Sequence, residues 1–168
     1  MKKLLLSTTI LFSFFISFSQ ENKENPVDST TYKKHLIGLN AGSSSGIGFS
    51  YKYVNKRWGI QASGIPIFDN SLQFASFGLA GTYRVIDPQK NPFKTAFLLY
   101  AGTHFLTWRN GISRYETNLI YALGFGFEHK INNRLELSMM AGYGLYTGDS
   151  YLTMIAGEFG LHYRLNNK

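Results

Sequence analysis

From residue 33 onward the chain is a series of unusually long segments in which apolar and polar residues alternate. In residues 151–165, for example, Phe159 and Leu161 alternate with Glu158 and Gly160. A period of two is typical of β-strands that have one polar and one apolar face. The segments exceed the average strand of about 5–6 residues and reach the ~9–11 residues that a membrane-spanning strand needs. Their length therefore favours strands that cross a membrane.

Turn-forming residues divide this pattern into eight segments. Runs of Asn, Ser, Gly, Asp and Pro separate the segments, and these residue types favour turns. The sequence therefore predicts an all-β fold, a single eight-stranded antiparallel up-and-down transmembrane β-barrel over residues 33–168. The predicted strands are residues 33–42, 46–54, 57–65, 72–85, 93–108, 115–130, 134–146 and 151–165.

The size of the side chains decides which face points inward. The polar face is also the small one, rich in Gly, Ser and Ala, and a narrow interior requires small residues. The large apolar residues then face outward, where lipid can cover them. Aromatic residues near both strand ends fit two girdles at the membrane interfaces. The predicted girdles contain Tyr51, Tyr53, Trp58, Tyr83, Phe127 and Tyr163 at one end, and Phe68, Trp108, Tyr115, Tyr146 and Tyr151 at the other.

The first 19 residues have the features of a secretory signal peptide. Two lysines follow the initial methionine, an uncharged apolar stretch comes next, and Ser19 provides a small residue before the cleavage site. We expect cleavage of residues 1–19, a mature chain that begins at Gln20, and a location in the cell outer membrane. Residues 20–32 are polar and aperiodic, which predicts a flexible lead-in.

Composition narrows the expected partners. The formal net charge is +7, the sequence pI is about 9.6 and cysteine is absent. A basic chain can bind nucleic acid, but an exported chain meets little of it, so outer-membrane lipid is the expected partner. Without cysteine, disulfides and thiolate metal sites are excluded. We expect a monomer without cofactors, and an envelope protein partner stays open.

Several strands resemble those of a known class of protein. The run Leu-Gly-Phe-Gly-Phe-Glu at 123–128, the last strand at 157–165 and the end of the signal peptide at 17–20 carry the resemblance. They are similar to the small porin-like outer-membrane β-barrel proteins of Bacteroidetes type. The resemblance covers nearly all of the mature chain and implies the same fold and location, but that class has no shared activity. Residues 166–168 depart from it, because they extend the chain past the last apolar strand position.

An even number of strands places both ends of the barrel chain on one side of the membrane. Export delivers the chain to the periplasm, so both ends are expected there. The connections near Asn55, residues 87–92 and Asn132 are then periplasmic. Those near Ser44 and at residues 66–71, 109–113 and 147–150 face outside.

Charged residues on the predicted inner face form the candidate site. Opposite charges in a narrow, poorly hydrated lumen must pair, because an isolated buried ion is very unfavourable. The pattern predicts a plug made of ion pairs, and a gate or narrow pore is the functional alternative. The predicted network consists of Lys52, Arg84, Glu128, Glu136, Glu158 and Arg164.

Catalysis and metal binding are not expected. The four histidines, His35, His104, His129 and His162, are scattered and lack a metal-ligand spacing. A lipid-modifying enzyme would need a His, a Ser and an acid together, and His104 is the best candidate for such a site. A soluble secreted barrel of the lipocalin sort, with an apolar ligand inside, is the other alternative.

Overall fold

The computed structural model describes residues 33–68, 72–86, 93–110, 116–148 and 151–165. The predicted signal peptide and the lead-in lie outside these residues, and so do residues 166–168. Residues 111–113 of the connection predicted at 109–113, Tyr115 of the second predicted girdle, and the connection predicted at 87–92 also lie outside them. Within the described residues, no helix is long and apolar enough to cross a membrane.

Eight antiparallel strands form one closed barrel. Each strand pairs with its neighbours in chain order, and the last strand pairs with the first. The predicted fold class is confirmed. The strands are β1 (Lys33–Gly42), β2 (Gly48–Asn55), β3 (Trp58–Phe68), β4 (Leu72–Ile86), β5 (Thr95–Asn110), β6 (Glu116–Lys130), β7 (Leu135–Thr147) and β8 (Tyr151–Arg164).

The barrel has an apolar outer wall and a largely polar interior. Along β6, Leu123 and Phe125 are exposed whereas Ala122 and Glu128 are buried. The same alternation runs through the described strands, since successive side chains of a strand point to opposite faces. The predicted assignment of the two faces is therefore correct over most of the barrel.

Two strands continue two or more residues past their predicted ends. β3 runs through Pro66 to Phe68 instead of ending in a turn at Pro66, and β5 includes Asn110. Proline is tolerated in β3 because the pairing of β2 with β3 ends at Gly64, so Pro66 lies on an edge with β4 as its only paired neighbour among the described strands.

The barrel wall is uneven in height. β1 and β2 have 10 and 8 residues, whereas β4 and β5 have 15 and 16. The pairing of β1 with β8 ends at Gly42 and Glu158, and residues 151–156 of β8 continue beyond it. In the described part of the chain, no strand thus lies between β8 and β3 in the half of the barrel that is distant from the chain ends, which leaves a gap two strands wide. The gap is named the lateral gap below.

Two predicted girdle residues point into the lumen. Trp108 pairs with Phe74, and Tyr146 pairs with Ile120, and all four share the inward face with the buried His104. Their assignment to an outer girdle was wrong. β5 is apolar on both faces, so its alternation does not identify the inner one for Trp108, whereas Tyr146 lies on the same face of β7 as the inward Glu136.

Candidate functional site in the barrel lumen

The end of the lumen near the chain termini contains a buried network of ion pairs. Glu128 is at its centre: its carboxylate accepts hydrogen bonds from Lys52 Nζ and from Arg84, whose Nε lies 2.8 Å from Oε2. Lys52, Arg84 and Glu128 are each no more than 3% exposed. These hydrogen bonds between charged groups are therefore shielded from bulk water, which strengthens them.

Glu136 extends the network to a second carboxylate. Lys34 Nζ donates to its Oε1 at 2.9 Å, Arg164 Nη2 donates to the same oxygen, and Arg84 Nη2 lies 3.9 Å from its Oε2. Arg84 thus links the two carboxylates. The structure brings together five of the six predicted residues, with Lys34 as an additional member.

The strand register places these side chains at one level. Lys52 on β2, Arg84 on β4, Glu128 on β6 and Glu136 on β7 come from separate strands whose ends gather near the chain termini. Lys34 was missed because it lies at the start of β1, where three residues of the sequence, Lys33 to His35, are polar in succession. Lys34 is two residues from the inward-facing Leu36, so both side chains lie on the same face of β1. That alternation could have identified Lys34 as an inward residue.

Glu158 lies apart from the ion pairs and has another role. Its Oε2 accepts the backbone N–H of Ser45 at 2.8 Å, and its Oε1 accepts Gln61 Nε2 at 2.9 Å. Among the described residues, no ion pair joins Glu158 to a cation. The carboxylate thus binds the segment that joins β1 and β2.

This β1–β2 segment, residues 43–47, folds into the lumen instead of facing outside as predicted. Ser44 and Ser45 are 0% exposed. Ser44 Oγ donates to the hydroxyl of Tyr100 at 3.0 Å, and the N–H of Ile47 donates to Ser76 Oγ at 2.8 Å. Because β1 and β2 are short, the segment begins at mid-barrel height and lies inside the lumen there.

A glycine makes room for the inserted segment. A Cβ atom added to Gly78 would lie 2.2 Å from the backbone of Ser45, far inside van der Waals contact. Gly46 and Gly48 have φ values of +97° and +126°, conformations that side chains other than glycine rarely adopt. The segment therefore depends on glycine at these three positions.

The buried histidines serve this interior packing. His104 Nε2 lies 2.9 Å from Ser76 Oγ, and His162 Nε2 lies 3.1 Å from Ser50 Oγ. His35 and His129 are on the outward face, near the chain ends of the barrel. Among the described residues, no group of three potential ligands could hold a metal ion.

The Ser76–His104 pair does not form a usable nucleophilic site. Ser76 Oγ already accepts the Ile47 N–H, and both side chains are no more than 1% exposed. Among the described residues, no carboxylate is hydrogen-bonded to His104 to orient its ring. The pair instead fixes the end of the β1–β2 segment against the wall of the barrel.

No protein-family model matches the chain, and no curated protein matches it in sequence. Among solved structures, the chain is similar to Ail, the attachment invasion locus protein of Yersinia pestis, at 16% identity over 79% of this chain and 97% of that chain, with a TM-score of 0.37. The outer wall and the lumen are therefore the basis on which the function is inferred.

Proposed function

We propose that this chain is a small outer-membrane β-barrel with a closed lumen and a structural or interaction role. One observation carries the proposal. Large apolar side chains point outward around the barrel, while ion pairs occupy the end of the lumen near the chain termini and hydrogen bonds of the β1–β2 segment occupy its middle. A barrel with this distribution is stable where hydrocarbon covers its outer wall.

The extent of the outer apolar surface supports membrane insertion. Leu123 is 67% exposed, Tyr143 68% and Phe49 73%, and each lies within a strand rather than at a turn. Soluble proteins rarely expose continuous apolar patches larger than a few hundred Å². A soluble lipocalin-like barrel would instead place its apolar face inward, so the distribution argues against that alternative.

Aromatic and basic side chains at the end of the barrel near the termini support an interface with lipid headgroups. Arg134 Nη1 donates to the hydroxyl of Tyr163 at 2.9 Å, and the rings of Trp58 and Tyr83 lie 4.8 Å apart. Tyrosine and tryptophan are enriched at membrane interfaces, where basic groups meet anionic headgroups.

The two closures of the lumen support the plugged form over a narrow pore. The ion pairs fill one level and the β1–β2 segment fills the next, so an ion would have to displace both. An enzymatic role finds no support at His104, whose serine partner is buried and already hydrogen-bonded. The relation to Bacteroidetes-type barrels rests on the strand pattern alone.

Partition between detergent and water tests the location. The protein, expressed with its leader and extracted from cell envelopes, is expected in the detergent-rich phase as a band whose migration changes on heating, since folded membrane barrels resist the denaturing detergent. Recovery as a folded protein in the aqueous phase would contradict the proposal.

A further inference from the structure

The half of the lumen beyond the β1–β2 segment differs from the half that contains the ion pairs, because its inward side chains are mostly apolar. We call this space the vestibule. The β1–β2 segment, with Ser76 and His104, separates it from the middle of the lumen, and Asn118 and Glu116 are polar residues on its inward face. The vestibule is lined by Ile67, Phe74, Leu106, Trp108, Leu152 and Met154.

These apolar side chains are accessible. Leu152 and Met154 are 52% and 51% exposed, and Ile67 is 42% exposed. All three lie on the faces of β8 and β3 that point into the lumen. Inward residues nearer the chain ends, such as Ala156 and Gln61, are 0% exposed. An accessible apolar concavity is the usual form of a site for an apolar ligand.

The lateral gap connects the vestibule with the outer wall. Neighbouring strands lie about 4.8 Å apart, so two missing strands leave roughly 14 Å between β8 and β3. The outward residues that flank the gap, Ile155 and Phe68, are 79% and 75% exposed. The apolar surface of the vestibule is therefore continuous with the surface that lipid covers under the proposed function.

We propose that the vestibule binds one acyl chain of a neighbouring membrane lipid, which enters sideways through the lateral gap. This inference rests on the proposed membrane location. The continuity of the two apolar surfaces selects the ligand: on both sides of the gap an exposed apolar residue of the outer face, Ile155 or Phe68, adjoins an exposed apolar residue of the vestibule, Met154 or Ile67. The closed lumen beneath then limits how deep the chain can reach.

The two tryptophans of the chain allow a direct test. Trp108 lies in the vestibule, and Trp58 lies on the outer wall at the opposite end of the barrel, 68% exposed. The Trp58→Phe variant leaves Trp108 as the single tryptophan, and the Trp108→Phe variant leaves Trp58. Each is reconstituted in phosphatidylcholine vesicles with or without bromine on the acyl chains, since bromine quenches tryptophan fluorescence at short range.

A matched pair of further variants separates lipid inside the vestibule from lipid outside the wall. In the Trp58→Phe background, Met154→Gln makes the vestibule more polar, and Ile155→Gln changes the adjacent residue on the outer face. Both side chains are at least half exposed, so both variants should fold. We expect Trp108 quenching to fall about twofold or more with Met154→Gln, because the site loses apolar contact, and to stay unchanged with Ile155→Gln.

The outcomes distinguish the two proposals. If brominated lipid does not quench Trp58 fluorescence, the barrel is not in the bilayer, and the proposed function fails together with the inference. If Trp58 is quenched and Trp108 is not, the membrane location holds and the inference is overturned. Equal quenching of Trp108 in the two glutamine variants also overturns it, because the lipid responsible would then lie outside the wall.

Discussion

Replacing Glu128 with glutamine tests the energetic importance of the ion-pair network. The substitution keeps the size of the side chain but removes the negative charge that faces Lys52 and Arg84. Both cations are no more than 3% exposed, so water can compensate little. Removing one partner of a buried ion pair typically costs about 3–5 kcal/mol, and we expect the free energy of unfolding to fall by that amount.

Glu116→Gln is the matched control, on the same strand. Glu116 is exposed at the other end of β6, so its neutralisation should change the free energy of unfolding by less than about 0.5 kcal/mol. Guanidinium unfolding in detergent micelles, followed by tryptophan fluorescence, measures both variants. Equal stability of Glu128→Gln and Glu116→Gln would refute the reasoning, because the lumen would then be wet enough to solvate the stranded cations.

Three further predictions concern the outer wall, the inserted segment and the leader. Leu123→Arg should destabilise the barrel in lipid by about 2–4 kcal/mol, whereas Ile131→Arg, in the turn after β6, should have little effect; equal unfolding midpoints in vesicles would show that the face assignment is wrong. Gly78→Ala should lower the free energy of unfolding by about 1–3 kcal/mol, because its Cβ meets the backbone of Ser45. Gly81→Ala should be tolerated, since the nearest atom is 4.0 Å away. If the Gly78→Ala variant is as stable as the wild type and its β1–β2 segment still resists protease, the insertion is contradicted. Mass analysis of the mature protein should find Gln20 at its amino terminus, and retention of Met1 would count against export.

The strands could be predicted from the sequence because polar and apolar residues alternate along the barrel wall from one residue to the next. β1 begins and ends at the predicted residues, and β8 ends within one residue of its prediction. Pro66 misled the prediction of β3, because proline breaks a central strand but not an edge. Whether β3 has an edge there depends on the length of β2, which local sequence does not reveal.

The candidate site was predictable only as far as the alternation of residues along each strand shows which side chains point inward. Parity identified Lys52, Arg84, Glu128, Glu136 and Arg164 as inward, but it could not state which charges meet, since that depends on the register of strands distant in sequence. Glu158 has the same parity, yet it binds the backbone of the β1–β2 segment. That insertion follows from the different lengths of neighbouring strands and from the room at Gly78, and neither is visible as a local pattern.

The vestibule was missed for a related reason. Trp108 and Tyr146 looked like interface residues because they are aromatic and lie near strand ends. Their inward direction follows from the pairing of β5 with β4 and of β7 with β6. Both faces of β5 are apolar, so alternation cannot identify its inner face, and only its pairing shows where Trp108 points. Tyr146 shares the inward face of Glu136 on β7, so alternation could have identified it.

Single-channel recording in a planar bilayer tests the central claim, a membrane barrel with a closed lumen, most directly. The wild-type protein is first shown to be in the bilayer by quenching of Trp58 with brominated lipid. Recording from the same preparation is then predicted to show no conductance steps, because the ion pairs and the β1–β2 segment block the lumen at successive levels. Steady, reproducible conductance steps from the wild-type protein would contradict the account.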